Sequence, residues 1–540
     1  MAVGFSCFMA CGCTNWREYF QNGFKVGPNY AEPVAATAPQ WIDAADKRVH
    51  KEKEDLSQWW KVFKDPALDL LITDSYRQNL TLRQAGYQVL QARAQAGIAF
   101  GNLFPQSQTV SGSYDRIAQS TEVANRLSNG VRRYYGQWND GFNLAWELDF
   151  WGRYRRAVES ADATLDATVE NYDAVLVTLL GDVASNYVII RQVEEQIKLA
   201  KANVELQRKT LEIAQARFKG GTATELDVDQ AQSNLSQTES KIPQFEVQLR
   251  QASNQLCILL GIPPEDLQAR LGTGVIPVAP VEVTVGIPAE LLRRRPDVMR
   301  AERLAAAQSA QIGIAESDFY PRISLSGNVG YSAEHFSNLF TQQAFQGTFG
   351  PTFNWAVLNY GRILNNVRAQ DAQFQSLVAG YQNAVITANA EVENGLVAFL
   401  KAQERVKLLT ESVTAAQKAA AIAVAQYRGG TIDFNRLALL EQNLVQQQDL
   451  LAQAKGDIAL GLIQVYRALG GGWELRGNGF DPNCNTTIVE TPVGPSVPPA
   501  APQTEKPAAP AILLFQPTPV KETKGDCQVR TLNLAVQEAG

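Results

Sequence analysis

The sequence predicts an α+β membrane protein built from two copies of one unit, in which a β-hairpin precedes two long coiled-coil helices. Three observations lead to this fold class. Residues 153–217 contain no proline and a single glycine, Gly181. A related stretch follows 209 positions later. Before each stretch stand two segments in which apolar and polar residues alternate.

The stretch from Arg153 to Arg217 is the first element that the pattern predicts. Its apolar residues recur every three or four positions, which is typical of the seam of a coiled coil. At 1.5 Å per residue such a helix is roughly 98 Å long, several times the diameter of a globular domain. No ordinary core can bury it. The predicted seam comprises Val158, Ala161, Leu165, Tyr172, Val175, Leu179, Val183, Tyr187, Ile190, Val193, Ile197, Ala200, Val204, Leu211, Ala214 and Phe218.

Short motifs that recur at one offset indicate an internal duplication. An equal offset at three anchors over about a hundred residues predicts two structural repeats. The pairs, each 209 positions apart, are Gly152-Arg153 with Gly361-Arg362, Gly220-Gly221-Thr222 with Gly429-Gly430-Thr431, and Leu260-Gly261 with Leu469-Gly470.

The repeats and their connections divide the chain into six parts. Repeat 1 is predicted at 65–261, with a helix from Asp65-Pro66 to about Gly101, a hairpin at about 103–150, a long helix at 153–218 and a return helix at 224–260. Repeat 2 is predicted at 296–472, with a helix from Pro296-Asp297, a hairpin at about 320–358, a long helix at 362–428 and a return helix at 433–469. The other parts are a lipoprotein-like signal at 1–13, an extended N-terminal arm at 14–64, an equatorial linker at 262–295 and a proline-rich tail at 473–540.

Each predicted hairpin contains two runs of about ten residues with an aromatic face and a polar face. In the run before Arg153, Trp138, Phe142 and Trp146 alternate with Asn139, Asn143 and Glu147. This is the signature of transmembrane β-strands, although a half-buried soluble sheet uses the same alternation. We favour the membrane, because two hairpins offer no other core for so many aromatic side chains.

Four strands cannot close a barrel, and open strand edges are not tolerated in lipid. Several copies of the chain are therefore expected to complete one wall. Eight strands would leave little lumen, so three chains that give twelve strands are the better prediction.

Composition excludes several classes of protein. The formal charge is −6 and the pI about 5.4, so there is no basic footprint for nucleic acid. The absence of any run of 18 apolar residues predicts no membrane-spanning helix. The only histidines are His50 and His335, which cannot build a catalytic triad or a histidine-ligated metal site. We therefore expect no enzyme, no cofactor and no metal site, and energy must come from a partner.

Three cysteines crowd the first residues, after a short apolar run from Val3 to Ala10. This resembles the end of a bacterial lipoprotein signal, with a small residue before an acylated cysteine. Cys13, which follows Gly12, is the predicted lipidation site and Cys11 the alternative, with palmitate among the expected acyl chains. The other possibility is an unmodified N-terminus. Cys484 and Cys527 in the tail can either form a disulfide or remain free thiols.

With these features in place, the chain resembles the outer-membrane factors of the TolC-type efflux family, closest to its lipoprotein, OprM-like branch. The resemblance covers about residues 26–476. Its motifs are Val26-Gly27-Pro28-Asn29-Tyr30, Trp59-Trp60, Leu148-Asp149-Phe150-Trp151-Gly152-Arg153, the turn from Arg217 to Leu226, and above all Ile287-Pro288-Ala289-Glu290-Leu291-Leu292-Arg293-Arg294-Arg295-Pro296-Asp297-Val298.

The resemblance implies a homotrimer with a 12-stranded transmembrane β-barrel in the outer membrane and a periplasmic α-helical barrel. It implies a passive exit duct that docks a periplasmic adapter protein and an inner-membrane pump, expected to be proton-driven. The implied docking points are the turns Gly220, Gly221, Thr222 and Gly429, Gly430, Thr431. The alternative for each glycine is that it merely permits the turn.

The family closes its tunnel near these turns with acidic rings. The candidates in this chain are Glu225, Asp227, Asp229 and Asp433, with Arg436. In a threefold assembly an inward carboxylate becomes a ring of three that favours cations. A charged helix face is otherwise merely solvated, and Leu439 stands where OprM-like channels carry an aspartate, so the gate is not copied residue for residue.

Two other functions compete with an efflux channel. The outer-membrane channel of a type I protein-secretion machine shares the predicted fold. A structural coiled-coil spacer without a pore is the alternative from another class, and it leaves the four amphipathic strands unexplained.

Overall fold

The two repeats fold into matching successions of elements in a computed structural model, which describes residues 16–52, 55–120, 132–290 and 294–476. The arm contains α1 (Trp16–Gln21) and β1 (Val49–His50). Repeat 1 contains α2 (Pro66–Gln78), α3 (Leu80–Gly101), β2 (Ser107–Ala118), β3 (Tyr134–Glu147), α4 (Arg153–Lys219) and α5 (Glu225–Leu260). The linker contains α6 (Gln268–Leu271) and β4 (Val283–Thr284). Repeat 2 contains α7 (Pro296–Ser317), β5 (Arg322–Ala333), β6 (Phe345–Asn354), α8 (Arg362–Arg428) and α9 (Phe434–Ala468).

The long helices α4 and α8 have 67 residues each, which corresponds to about 100 Å. Gly152 and Gly361 stand immediately before them with φ of 80° and 79°, in the left-handed region where glycine carries no penalty. Each long helix packs on the return helix of its own repeat, α4 on α5 and α8 on α9. The two repeats are joined by the packing of α4 on α7 and on α9, and by the pairing of β3 with β5.

Buried apolar side chains form several separate clusters along the helices. The largest lies where the middles of α4 and α8 meet the ends of the return helices, and it includes Trp60, Leu180, Phe399 and Leu462. A second cluster, around Tyr427 and Phe434, lies near the glycine turns. A helix pair of this length thus has local cores at intervals and not one central core.

The helix predicted from Asp65-Pro66 to about Gly101 is interrupted at Asn79, which has extended dihedral angles. Asn79 accepts a hydrogen bond from Leu82 N and donates one to Leu259 O, both at 2.8–2.9 Å. The side chain therefore caps α3 and binds the end of α5 at the same time, which stabilises the break.

Two further expectations differ from the structure. The predicted seam extends to Phe218, but this side chain is exposed and the buried positions end at Ala214. One helix, α4, has the length and the mean hydropathy to cross a membrane. The absence of a run of 18 apolar residues therefore does not by itself exclude such a helix. Because 61% of its most apolar window is buried inside the protein, packing against the other helices accounts for that composition.

The N-terminal arm is not purely extended, since it contains α1 and a 3-10 turn at Trp59–Phe63. It is joined to the linker by a parallel pair, β1 with β4, and by the Trp41 indole, which donates to Gly286 O at 3.0 Å. At the other end of the described chain, Arg476 binds both carboxylate oxygens of Asp173 in α4, at 2.7 and 2.8 Å. The arm is thus fastened to the linker, and the other end of the described chain is fastened to α4.

Candidate functional site

Two parts of the chain are candidates for function, the sheet and the helix turns at the opposite ends of the long helices. The sheet is antiparallel with the order β2-β3-β5-β6. Val110, Phe142 and Val329 stand opposite one another across its first three strands. Among the described residues, β2 and β6 each have one neighbouring strand, so both edges of the sheet are open.

One face of the sheet is apolar, aromatic and exposed. Phe353 is 77% exposed and Val110 79% exposed. Tyr114 and Trp138 pack across β2 and β3 with ring centroids 4.6 Å apart. Contiguous apolar surfaces of this kind mark a contact with another protein or with a membrane.

The other face of the sheet carries rows of hydrogen-bonded polar side chains. In one row Asn143 donates to Ser111 at 3.2 Å and accepts from Asn328 at 2.5 Å. In the next, Asn139 donates to Ser113 at 3.4 Å and accepts from Ser332 at 2.9 Å. Amide and hydroxyl groups in such rows favour contact with water, so the two faces suit two different surroundings.

The strands are joined to the helices through fixed contacts. The indoles of Trp146, Trp151 and Trp355 donate to backbone carbonyls of the adjoining segments at 3.1, 2.8 and 2.9 Å. Asp149 accepts from the backbone N–H groups of Tyr154 and Arg155 at the start of α4. These bonds satisfy free helix donors and fix the helix to the base of the hairpin.

The two glycine turns have the same geometry. Gly221 and Gly430 have φ of 71° and 75°, and Thr222 and Thr431 each direct N–H and Oγ1 back to the carbonyl five residues earlier at 2.9–3.1 Å. A left-handed residue at these positions is a common helix ending. The turns themselves therefore require Gly221 and Gly430.

Gly220 and Gly429 are not required in the same way. Their φ values are −84° and −76°, and a Cβ at either position would lie 3.5–3.6 Å from backbone oxygens, an ordinary contact. Both positions are exposed. Neither backbone strain nor steric crowding explains why both repeats have glycine at this position.

Arg217, which the sequence analysis did not single out as a site residue, braces the two turns. Its guanidinium donates to Tyr427 O at 2.5 Å and to Thr222 O at 3.0 Å, and lies 4.6 Å from the centre of the Tyr427 ring. Burial raises the pKa of Tyr427, with a further rise from Asp227. One cation thus holds both turns in a single surface.

The candidate gating carboxylates fall into two groups. Asp227 forms a reciprocal capping box with Thr224, both bonds at 3.3 Å, and Asp433 accepts from Arg436 N at 2.8 Å. These two carboxylates cap the return helices, where the helix dipole also favours a negative charge. Glu225, Asp229 and Arg436 are exposed side chains within the first two turns of those helices, as is Leu439.

A buried polar seam between α4 and α9 was not foreseen from the sequence. Asn203 donates to Gln448 at 2.8 Å, Gln196 donates to Asp449 at 2.5 Å, and Thr210 donates to Glu441 at 2.7 Å. Positions 196, 203 and 210 are seven residues apart, so the heptad spacing of polar residues was the available signal. These polar side chains are buried because α4 packs on α9, and the heptad spacing does not predict that pairing.

The cysteines expected to be acylated or paired, Cys11, Cys13, Cys484 and Cys527, lie outside the described residues, as does Arg293 of the motif at 287–298. Within the described residues, no group of three or more histidine, cysteine, aspartate or glutamate side chains is arranged to hold a metal ion.

Comparisons with known proteins place these features in context. A family model described as outer membrane efflux protein matches residues 71–262 and 287–471. The chain is 30% identical over 483 residues to the probable efflux pump outer membrane protein TtgC of Pseudomonas putida, which covers 88% of this chain and 98% of that protein. It is 28% identical to nodulation protein T of Rhizobium leguminosarum bv. trifolii over 84% of this chain and 95% of that protein.

Solved structures show a similar fold. The outer-membrane channel OprN is 32% identical, with a TM-score of 0.77 over 83% of this chain and 99% of its own. The CmeC outer membrane channel of Campylobacter jejuni has the same TM-score at 23% identity, over 83% of this chain and 95% of its own.

Proposed function

The chain belongs to the outer membrane efflux protein family and is an outer-membrane efflux channel that extends into the periplasm, and from this premise we propose that it works as a homotrimer. Three copies would form a 12-stranded barrel and a periplasmic helical barrel. Channels of this kind work with an adapter and an inner-membrane pump. The duct itself is passive, and a proton-driven pump would supply the energy.

The observation that carries the trimer is the open four-stranded sheet. Its apolar face suits lipid and its polar rows suit a water-filled lumen. Strands of 10 to 14 residues are long enough to cross the hydrocarbon layer when tilted. The unpaired edges of β2 and β6 cannot remain open in lipid, so β6 of one copy is proposed to pair with β2 of the next.

Exposed apolar residues on the helices support the same assembly. Leu90 and Ile98 in α3, Ile258 in α5 and Leu408 in α8 are all more than half exposed. Side chains of this kind on coiled-coil helices favour packing against another helix. A neighbouring copy, continuing the ring that begins in the sheet, would cover them.

The turn surface is the proposed docking site for the adapter. Gly220 and Gly429 leave bare, exposed backbone that neither the turn nor its surroundings require, and a bare backbone permits the close approach of another chain. Arg217 fixes the two turns relative to each other. A preformed surface of this kind lowers the entropic cost of docking.

Glu225, Asp229 and Arg436 are the proposed gate residues, since none of their side chains takes part in the capping bonds of Asp227 and Asp433, to which Arg436 contributes only its backbone N–H. Lipidation at Cys13, or at Cys11, is proposed as an added anchor in outer-membrane lipid.

The trimer and its pore can be tested together. Cysteines introduced at Thr109 in β2 and Thr348 in β6 are expected to form intermolecular disulfides that give covalent trimers in membranes, and the purified protein is expected to conduct ions in planar bilayers. Cysteines at Asn139 and Asn328, which lie in the inner strands, provide the matched control without intermolecular cross-links. A monodisperse monomer that is soluble without detergent and forms no pore would contradict the proposal.

A further inference from the structure

An aromatic surface on the N-terminal arm lies beside the base of β3. We define the arm aromatic patch as Phe20, Phe24 and Phe150, which are 59%, 52% and 50% exposed. Phe20 and Phe24 lie with their ring centroids 5.4 Å apart. Tyr19, which is buried, lies beneath them at 5.8 and 5.6 Å from the two rings. The patch is therefore a continuous apolar surface that rests on a buried aromatic ring.

The patch is held in place by bonds to the segment between β3 and α4 and to the first turn of α4. The Tyr19 hydroxyl donates to Phe150 O at 2.7 Å, and Val26 N donates to Trp151 O at 3.0 Å. Arg155 donates to the carbonyls of Gly23 and Phe24, both at 2.7 Å. Four hydrogen bonds thus tie the arm to the point where the hairpin passes into the long helix.

The backbone of Phe24 is itself unusual. Its φ is 62°, directly after Gly23 at 67°, and a bulky residue in the left-handed region is strained and persists only where its surroundings enforce it. The bond from Arg155 to Phe24 O and the bond from Phe24 N to Tyr19 O enforce it here. This conformation keeps an exposed phenylalanine fixed beside Phe20.

We propose that the arm aromatic patch inserts into the periplasmic leaflet of the outer membrane, at the boundary between head groups and acyl chains. This inference rests on the proposed barrel, because the base of β3 is then the periplasmic end of the membrane-spanning wall. The exposed apolar face of β3 continues through Leu148 to Phe150, so the patch extends the lipid-facing surface sideways onto the arm. Apolar surfaces that carry phenylalanine, tryptophan or leucine bind at this depth, at the boundary between head groups and acyl chains.

The proposal assigns the arm a membrane contact that does not depend on acylation of a cysteine. Two phenylalanines and a strand-end aromatic would hold the start of the arm against the bilayer, while an acyl chain would add to that hold. A contact of this kind would also fix where the arm enters the groove between α4 and α7, where Gly27 and Gly313 allow close backbone approach.

Depth-dependent quenching tests the proposal. The full chain, with its native cysteines replaced by alanine, is labelled with one environment-sensitive fluorophore through Phe20→Cys and reconstituted into phosphatidylethanolamine–phosphatidylglycerol vesicles that contain doxyl-labelled lipid. Phe353→Cys on the apolar strand face is the positive control. Val34→Cys is the negative control, because Val34 is 88% exposed and lies far from the proposed membrane. Its carbonyl accepts a hydrogen bond from Gln382, which is 20 residues, or about 30 Å, from the start of α8.

The proposal expects the Phe20 label to be quenched at least half as strongly as the Phe353 label, with the Val34 label unquenched. Quenching at Phe353 combined with a Phe20 label that behaves like Val34 would overturn the patch and leave the barrel intact. A Phe20 label that is shielded from water-soluble quencher but not reached by lipid quencher would assign the patch to a neighbouring protein copy, which also overturns the proposal. Lack of quenching at Phe353 would overturn the barrel and the patch together.

Discussion

Thr210 of α4 donates a 2.7 Å hydrogen bond to Glu441 of α9, and both side chains are buried. Burial raises the pKa of the Glu441 carboxyl above its ordinary value, and the bond from Thr210 opposes part of that rise. This bond, one of several hydrogen bonds between the two repeats along α4 and α9, thus involves an acid in a setting that disfavours its charge.

The first prediction concerns the pH dependence of stability. A carboxyl whose pKa is raised by folding keeps its proton to higher pH in the folded chain than in the unfolded chain, so stability falls as the pH rises from the ordinary glutamate value through the raised one. Glu441→Gln removes this loss and is expected to raise Tm at pH 8 by about 1–2 °C while leaving Tm at pH 4 nearly unchanged. Thermal unfolding in detergent at the two pH values measures it, with the exposed Glu411→Gln as control. An equal pH response in wild type and Glu441→Gln would contradict the assignment.

The second prediction concerns the brace at the turns. Arg217→Ala removes the bonds to Tyr427 O and Thr222 O and the contact with the Tyr427 ring. Hydrogen bonds from a charged group contribute about 1.5–3 kcal/mol each, so amide exchange in residues 218–224 is expected to accelerate by at least tenfold. Hydrogen–deuterium exchange measured by mass spectrometry gives the rate. Lys219→Ala, at an exposed neighbouring position, is expected to leave it unchanged, and the same acceleration in both variants would rule out a specific brace.

These sites show which features were predictable from sequence and which were not. The positions of Gly152 and Gly361 predict where two long helices begin, because a repeated local motif carries that information, and both glycines stand directly before α4 and α8. The alternation around Phe142 and Asn143 likewise predicts the two faces of β3, since a strand has a period of two.

Features that depend on distant partners were missed. Asn79 interrupts a helix because its side chain binds Leu259, 180 positions away, and nothing in the local pattern shows this. The sequence does not distinguish Glu441 from the other polar residues of α9, because its burial depends on the packing of α9 on α4. By contrast, the capping role of Asp227 could have been recognised, because Thr224 stands three residues before it in the spacing of a capping box.

The third prediction separates the two glycines of each turn. Gly221→Ala places a side chain at φ of 71° and is expected to destabilise the turn by about 1 kcal/mol. Adapter binding by this variant is expected to weaken only by as much as the turn itself is destabilised. Gly220→Leu introduces no strain and should leave Tm unchanged. If the bare backbone is the docking surface, Gly220→Leu together with Gly429→Leu should reduce site-specific cross-linking to the adapter by more than tenfold.

The matched control for this pair is Ala223→Leu, which alters an adjacent position without adding bulk at either glycine. Full cross-linking and full efflux in the Gly220→Leu, Gly429→Leu double variant would contradict the docking proposal. Bulky side chains at both positions would then have no effect on adapter binding.

The fourth prediction concerns the gate. Asp229 is exposed and has no capping bond, so Asp229→Asn should lower cation selectivity and lengthen the open time in planar bilayers if three copies form a ring. Asp227→Asn keeps an oxygen that can cap the helix, and is expected to change the free energy of unfolding by less than about 1 kcal/mol. Unchanged selectivity and closure for Asp229→Asn would remove this residue from the gate.

The last prediction concerns the ion pair at the end of the described chain. Asp173 is 0% exposed and receives two hydrogen bonds from Arg476, whose side chain is 43% exposed. Arg476→Met leaves a buried carboxylate without its cation, and after allowance for partial exposure it is expected to destabilise the chain by about 2–3 kcal/mol. Asp173→Asn added to Arg476→Met removes the uncompensated charge and should restore most of the loss in thermal unfolding. Arg467→Met, which breaks a half-exposed pair with Asp182, provides the control and should cost less than about 1 kcal/mol. An equal loss in the two single variants, or no recovery in the double variant, would show that Asp173 does not depend on Arg476 for compensation of its charge.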